Sequence, residues 1–178
     1  MPSPKPLLCL PLFLLLTACD PGRTQDRSTS IRQTLGGKTD SNLFSVKADD
    51  PEMNAAITRA RFNLPRFDSA LASDNYDPGW NMLKVRFPTP RGGYEHIWLA
   101  GITSANGHYK GIVTDTVYET TKVKKGDTVS IKNEDITDWM FGTDSLIHGA
   151  YTTRIILNRM TPGERADYDR QVKYRIED

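Results

Sequence analysis

Residues 80–113 read WNMLKVRFPTPRGGYEHIWLAGITSANGHYKGIV, and the alternation of side chains along this stretch decides the fold. Within Trp80–Pro88, Leu83, Val85 and Phe87 alternate with Met82, Lys84 and Arg86. That is the period of two of a strand with Leu83, Val85 and Phe87 facing inward. Thr89–Gly93 has turn chemistry, and Tyr94–Ile102 alternates again. Asn106-Gly107, standing before Tyr109–Val113, is a strong short-range signal for a hairpin. The stretch therefore predicts hairpin-linked antiparallel strands.

On the N-terminal side, Asp49-Asp50-Pro51-Glu52 supplies a capping carboxylate, a proline in the first turn and an acid at the positive end of a helix. Met53, Ile57, Ala60, Leu64, Phe67 and Leu71 follow in steps of 4, 3, 4, 3 and 4, a single helical face. Pro65 interrupts that face, so the helix kinks or restarts near Asn63. Asp74–Gly79 is a turn. On the C-terminal side, Lys124–Asp127 marks another turn, and Val129 and Ile131 alternate with polar residues. Ile136–Phe141 reads as a last strand or an irregular segment, and Tyr151–Met160 as a helix or a buried strand. Thr161-Pro162-Gly163-Glu164 is a capping box, which starts a helix running to about Lys173. Its apolar face is weak, which places it on the surface. The order of elements predicts an α+β domain, with an N-terminal helix and a C-terminal helix packed on a small antiparallel β-sheet. The domain occupies residues 49–160 and the surface helix residues 161–178.

The whole chain has 178 residues, a formal net charge of +1 and two cysteines. Balanced charge removes any global attraction to nucleic acid, and two cysteines make no disulfide framework. Residues 1–18 have Lys5, an apolar stretch from Leu7 to Leu16 and then small residues, the anatomy of a cleavable export signal. The stretch is about half the roughly 20 residues that a membrane span needs. Leu16-Thr17-Ala18-Cys19 resembles a bacterial lipobox. Cleavage before Cys19 discards Cys9 and leaves Cys19 as the site of lipidation, and anchoring by more than one acyl chain is stable. Asp20 resembles the residue that retains lipoproteins in the inner membrane. Residues 19–48 are polar and without period, a flexible tether reaching ~30 Å from the lipid, in which Leu43–Val46 could instead add an edge strand.

No constellation for chemistry stands out. His96, His108 and His148 lack metal-ligand spacing, so neither a metal nor another cofactor is expected. Ser145 near His148, with Asp138 or Asp144, is a Ser/His/Asp cluster in sequence without a nucleophile elbow. If Tyr94–Ala100 is extended, Tyr94, His96 and Trp98 share the face opposite Ile97 and Leu99. Trp139 and Tyr151 could join them in an aromatic recognition surface. Against this stands the reading in which both tryptophans pack under the helix.

Several segments, taken in order and spacing, resemble the YegJ-like family of uncharacterised bacterial proteins. They are the helix of residues 50–71, His96-Ile97-Trp98-Leu99, Gly111, Lys125-Gly126-Asp127, Asp138-Trp139-Met140 and Gly149-Ala150-Tyr151-Thr152-Thr153-Arg154. The resemblance covers residues 49–157 and leaves Thr161–Asp178 outside. It implies a small α+β domain, sometimes behind a lipoprotein signal, with no established activity, cofactor or catalytic residue. The expectation is thus a membrane-anchored lipoprotein of the bacterial envelope, facing the periplasm, that binds another envelope protein, an incoming toxin or peptidoglycan. The alternative is an envelope hydrolase using His148 with Asp138 or Ser145.

Overall fold

The computed structural model describes residues 28–32, 43–172 and 174–177, with side chains from residue 48 onward. Cys19, Asp20 and the export signal lie outside the described residues.

Asp50 opens α1 (Pro51–Phe62) as expected, its Oδ1 accepting the Met53 N–H at 2.9 Å. The missing N–H and the ring of Pro65 end that helix at the cap residue Asn63, and α2 (Leu64–Ser73) restarts with proline in its first turn. The buried side chains Met53, Ala56, Ala60, Phe67 and Ala70 keep one face through the break.

The sheet is built around two long strands, β3 (Asp77–Pro88) and β4 (Tyr94–Ala105), paired antiparallel from Met82↔Ala100 to Pro88↔Tyr94. Preceding them are β1 (Ser28–Arg32) and β2 (Leu43–Lys47). Following them are β5 (His108–Val113), β6 (Thr128–Ile131), β7 (Ile136–Thr143), β8 (Leu146–Gly149) and β9 (Arg175–Ile176). Seven strands run in the order β2-β1-β4-β3-β7-β8-β9, and β5 with β6 branches from β4. Ile136–Phe141 is therefore a strand, and Tyr151–Met160 resolves into the helix α3 (Tyr151–Arg159), despite its β-branched residues. The capping box forms at Thr161 and Glu164, starting α4 (Pro162–Gln171), which buries no residue.

Two expectations need correction. Within residues 19–48, read as a tether, Leu43–Val46 takes the edge-strand alternative as part of β2, and the unexpected β1 pairs with it and joins β4 in parallel at Ile31↔His96. The C-terminal segment is not helical throughout, because β9 pairs in parallel with β8 through Leu146↔Arg175 and Ile147↔Ile176. The α+β class stands, with a mixed, mostly antiparallel and open sheet.

Leu83, Val85, Ile97, Leu99, Trp139 and Phe141 form the main core with Ala60, Phe67 and Ala70 of the helices. Burial of such side chains contributes about 1.5–3 kcal/mol each. Phe67 lies 6.1 Å from Trp139, and Phe141 stacks on the same indole at 5.9 Å. The opposite face of the sheet is also closed. Trp98, Met140, Ile147 and Ala150 are buried there with Trp80, Met82, Tyr174 and Ile176 packed against them.

Candidate functional site

Register explains how the second face is furnished. Trp98 pairs with Lys84 on one side of β3 and Lys84 with Asp138 on the other, so these three side chains form one row. All three have 0% exposure. Asp138 Oδ1 accepts the N–H groups of Trp139 (2.9 Å) and Tyr151 (3.1 Å). Its Oδ2 accepts the Thr152 N–H (2.8 Å) and the Thr152 hydroxyl (2.6 Å). Four donors on one carboxylate at the start of α3 make Asp138 the cap that the αL residue Ala150 does not provide. Lys84 Nζ donates to Thr152 Oγ1 at 2.8 Å and sits 4.7 Å from the Trp98 ring centre. Burial brings the Lys84 ammonium down to about 8, against the pull of Asp138 and Asp115. Burial likewise pushes the Asp138 carboxyl up, and Lys84 and the donors oppose it.

His96 lies in the adjoining row, its Nδ1 3.0 Å from Thr137 Oγ1. The Thr137 hydroxyl donates to the Lys84 carbonyl, so the Nδ1–H tautomer of His96 donates to Thr137. Burial, then the charges of Lys84, Arg86 and Arg61, lower its pKa to about 3. Tyr94 is the one member of the expected aromatic trio at the surface, 41% exposed, with the Arg86 guanidinium 4.8 Å from its ring.

The open aromatic surface expected from Tyr94, His96, Trp98, Trp139 and Tyr151 is therefore not assembled. Asp138 and Trp139 are consecutive in β7 and point to opposite faces, which puts Trp139 in the main core and Trp98 behind the sheet. Trp139 Nε1 donates to the Ala60 carbonyl at 2.7 Å, tying α1 to the sheet. The indole N–H of Trp98 has no hydrogen-bond partner among the described residues. Tyr151 is half-buried, edge-on to Trp139 and beneath Arg154.

His148 does not meet Asp138 or Ser145. Ser145 occupies a left-handed turn between β7 and β8 (φ 68°), and its carbonyl accepts the Arg175 N–H. The His148 ring bridges Thr143 Oγ1 (2.7 Å from Nε2) and Glu177 Oε2 (2.8 Å from Nδ1). Arg66 binds both carboxylate oxygens of Glu177 at 2.8 Å, and the Gly149 N–H donates to Oε1 at 2.9 Å. Burial raises the Glu177 carboxyl, but Gly149, His148 and Arg66 together hold it below the usual carboxylate range. Arg66 Nη2, which can only donate, also lies 2.9 Å from His148 Nδ1, so Nδ1 stands between a guanidinium donor and the Glu177 carboxylate while Nε2 faces the Thr143 hydroxyl. Hydroxyl, imidazole and carboxylate thus stand in the order that a nucleophile, its base and the group orienting the base require. Glu177 and Thr143 carry no sequence signal for this; only the β8–β9 pairing brings Glu177 to His148. Among the described residues, no group of three or more His, Cys, Asp or Glu is arranged to hold a metal ion.

A family described as "Uncharacterized protein conserved in bacteria (DUF2314)" matches residues 50–174. The chain belongs to the DUF2314 family. The DUF2314 match runs through α4, which the resemblance read from the sequence left outside. The chain is 33% identical over 120 residues to "Uncharacterized protein YegJ" of Escherichia coli K12, covering 67% of this chain and 75% of that one. It is 27% identical over 137 residues to a putative ankyrin repeat protein of Neisseria meningitidis serogroup B, covering 73% of this chain and 54% of that protein. No solved structure matches. The DUF2314 segment contains Lys84, His96, Trp98, Asp138 and His148 but stops short of Glu177.

Proposed function

We propose that this protein is a lipoprotein of the bacterial cell envelope, anchored through acylated Cys19, whose α+β domain works as a non-enzymatic binding module facing the periplasm. The observation that carries the reading is Leu16-Thr17-Ala18-Cys19 directly behind a charged and then apolar leader. Asp20 favours retention in the inner membrane. The partner is an envelope protein, a toxin neutralised on entry, or peptidoglycan. Support for binding over catalysis comes from the enclosed polar groups: Asp138 is spent on capping α3, and His96 is buried against Thr137.

Replacement of Cys19 by Ala tests the anchor. The variant should accumulate as unprocessed precursor, take up no labelled palmitate and leave the membrane fraction. Continued labelling would overturn the reading. Crosslinking the anchored protein in its own cells then identifies what it holds.

A second reading, an envelope hydrolase, is favoured by one observation: the Thr143–His148–Glu177 array. In it, with His148 as the Nδ1–H tautomer held by Glu177, Thr143 Oγ1 would attack an acyl carbon as Nε2 takes the hydroxyl proton. The ring would hand that proton to the leaving amine or alcohol as its bond to the acyl carbon breaks, water then releasing the acyl group from Thr143. Asp138 and Ser145 have no part in it. An activity on envelope material that survives His148→Ala would remove this reading.

A further inference from the structure

Two clefts meet along α3. One, of about 470 Å³, lies between α1, α2 and α3 and is lined by Arg59, Arg66 and Arg154. The other, of about 520 Å³, lies between α3, α4 and β9 and is lined by Arg154, Arg165 and Arg175. Arg154, Asn158 and Glu177 line both, so the two clefts adjoin across these residues and are taken together as one groove. Five guanidiniums border it against two carboxylates, Asp169 and Glu177, in a chain whose total charge is almost balanced. This is a local concentration of positive charge that composition conceals.

The internal pairings show which charges are left over. Arg165 is matched by Asp169 at 2.9 Å and Arg66 by Glu177. Among the described residues, Arg154 donates to the Glu177 backbone carbonyl alone, at 3.1 Å, and stacks on Tyr151. The side chains of Arg59 and Arg175 are exposed and make no hydrogen bond or ion pair among the described residues. Among the described residues, Arg59, Arg154 and Arg175 along the groove therefore have no carboxylate partner.

Glu177 shows what these donors hold. Its carboxylate takes both arms of Arg66, the Gly149 N–H and the His148 ring, and it arrives on an extended segment paired with β8. The groove already receives one planar carboxylate delivered by extended backbone. Guanidinium forks match that geometry bidentately. Ile155 and Tyr151 at one end, with Leu157 and Ile176 at the other, offer apolar surface to the remainder of a ligand. Tyr168 Oη, enclosed beside Arg165, has no hydrogen-bond partner among the described residues.

We infer that this groove binds an acidic peptide segment, with Arg59, Arg154 and Arg175 each receiving a carboxylate. The inference rests on the binding-module reading and names the ligand chemistry and the surface.

The test is fluorescence anisotropy of labelled pentaglutamate titrated with the full-length protein in detergent. Saturable binding that weakens as salt is raised is expected. Arg59→Gln with Arg175→Gln, two side chains without bonds among the described residues, should weaken it about tenfold or more with circular dichroism unchanged, on the order of 1.4 kcal/mol. Glu177→Gln removes a competing negative charge from the groove and should tighten binding. Absence of binding, or equal binding by the double variant, would overturn the inference. So would tighter association with phosphatidylglycerol vesicles than with pentaglutamate, since the groove would then serve lipid phosphates. If palmitate labelling at Cys19 persists while pentaglutamate fails to bind, the groove assignment falls and the anchored module stands. The reverse pair of results removes the anchor alone.

Discussion

His96 shows how one residue's surroundings become a property of the protein. Its imidazole is enclosed and faces the positive charges of Lys84, Arg86 and Arg61, which with burial lower its pKa to about 3. In the unfolded chain the same ring titrates near 6.5. Between those values the unfolded state binds the proton and the folded state does not, so this residue withdraws stability as pH falls from about 6.5 toward 3. The slope approaches about 1.4 kcal/mol per pH unit. His96→Gln retains a donor for Thr137 and removes the titration. Urea midpoints measured from pH 7 to pH 4 should decline less steeply for the variant, and identical declines would show that His96 is not the group responsible. The loss of Asp50 follows the same sign at lower pH. The Arg159 hydrogen bond holds its carboxyl near about 2, so that contribution disappears as pH drops below about 4.

At the scale of elements, Glu95 is the clearest case of a side chain organising backbone. It is buried at the start of β4 and accepts the N–H groups of Tyr118 (2.8 Å), Glu119 (2.9 Å) and Thr120 (2.8 Å). The connection between β5 and β6 thereby acquires partners that no strand supplies. The Thr120 hydroxyl adds a bond to the Pro88 carbonyl. Glu95→Ala should cost about 2–3 kcal/mol, because three donors lose a charged acceptor. Hydrogen exchange should accelerate at residues 118–120 while β3 and β7 stay protected. Uniform acceleration across the sheet would mean that the loop is not a separate unit. The β8–α3 junction is fixed differently, by space. A Cβ on Gly149 would lie 2.4 Å from the Trp139 carbonyl oxygen, and φ there is 82°, so only glycine lets α3 begin against β7.

Over the whole molecule, Glu177 joins elements that are far apart in sequence: Arg66 of α2, His148 and Gly149 of β8, and Arg154 of α3. Its removal by Glu177→Ala should lower stability by about 1–2 kcal/mol, the Arg66 side of the contact being half exposed and screened. Chemical denaturation checks the magnitude, and exchange at residues 174–176 checks that β9 loosens first. A variant as stable as the parent would show that β9 is held by its backbone pairing alone.

The one-dimensional pattern determined the helix of residues 50–71 with its break at Pro65, the β3–β4–β5 hairpins and the α4 capping box, because each depends on short-range periodicity or local hydrogen bonds. It also carried the resemblance that places the chain in its family. Alternation correctly separated Leu83 and Val85 from Lys84, and Ile97 from Trp98, but it left open whether the alternate face meets solvent or a second packed layer. A second layer of packing lies on that face, and whether a face is covered is a long-range property that local period does not contain. Burial of Lys84, His96 and Trp98, the capping of α3 by Asp138, and the meeting of Thr143, His148, Glu177 and Arg66 were decided only in three dimensions, since each joins groups whose separation in sequence bears no relation to their separation in space.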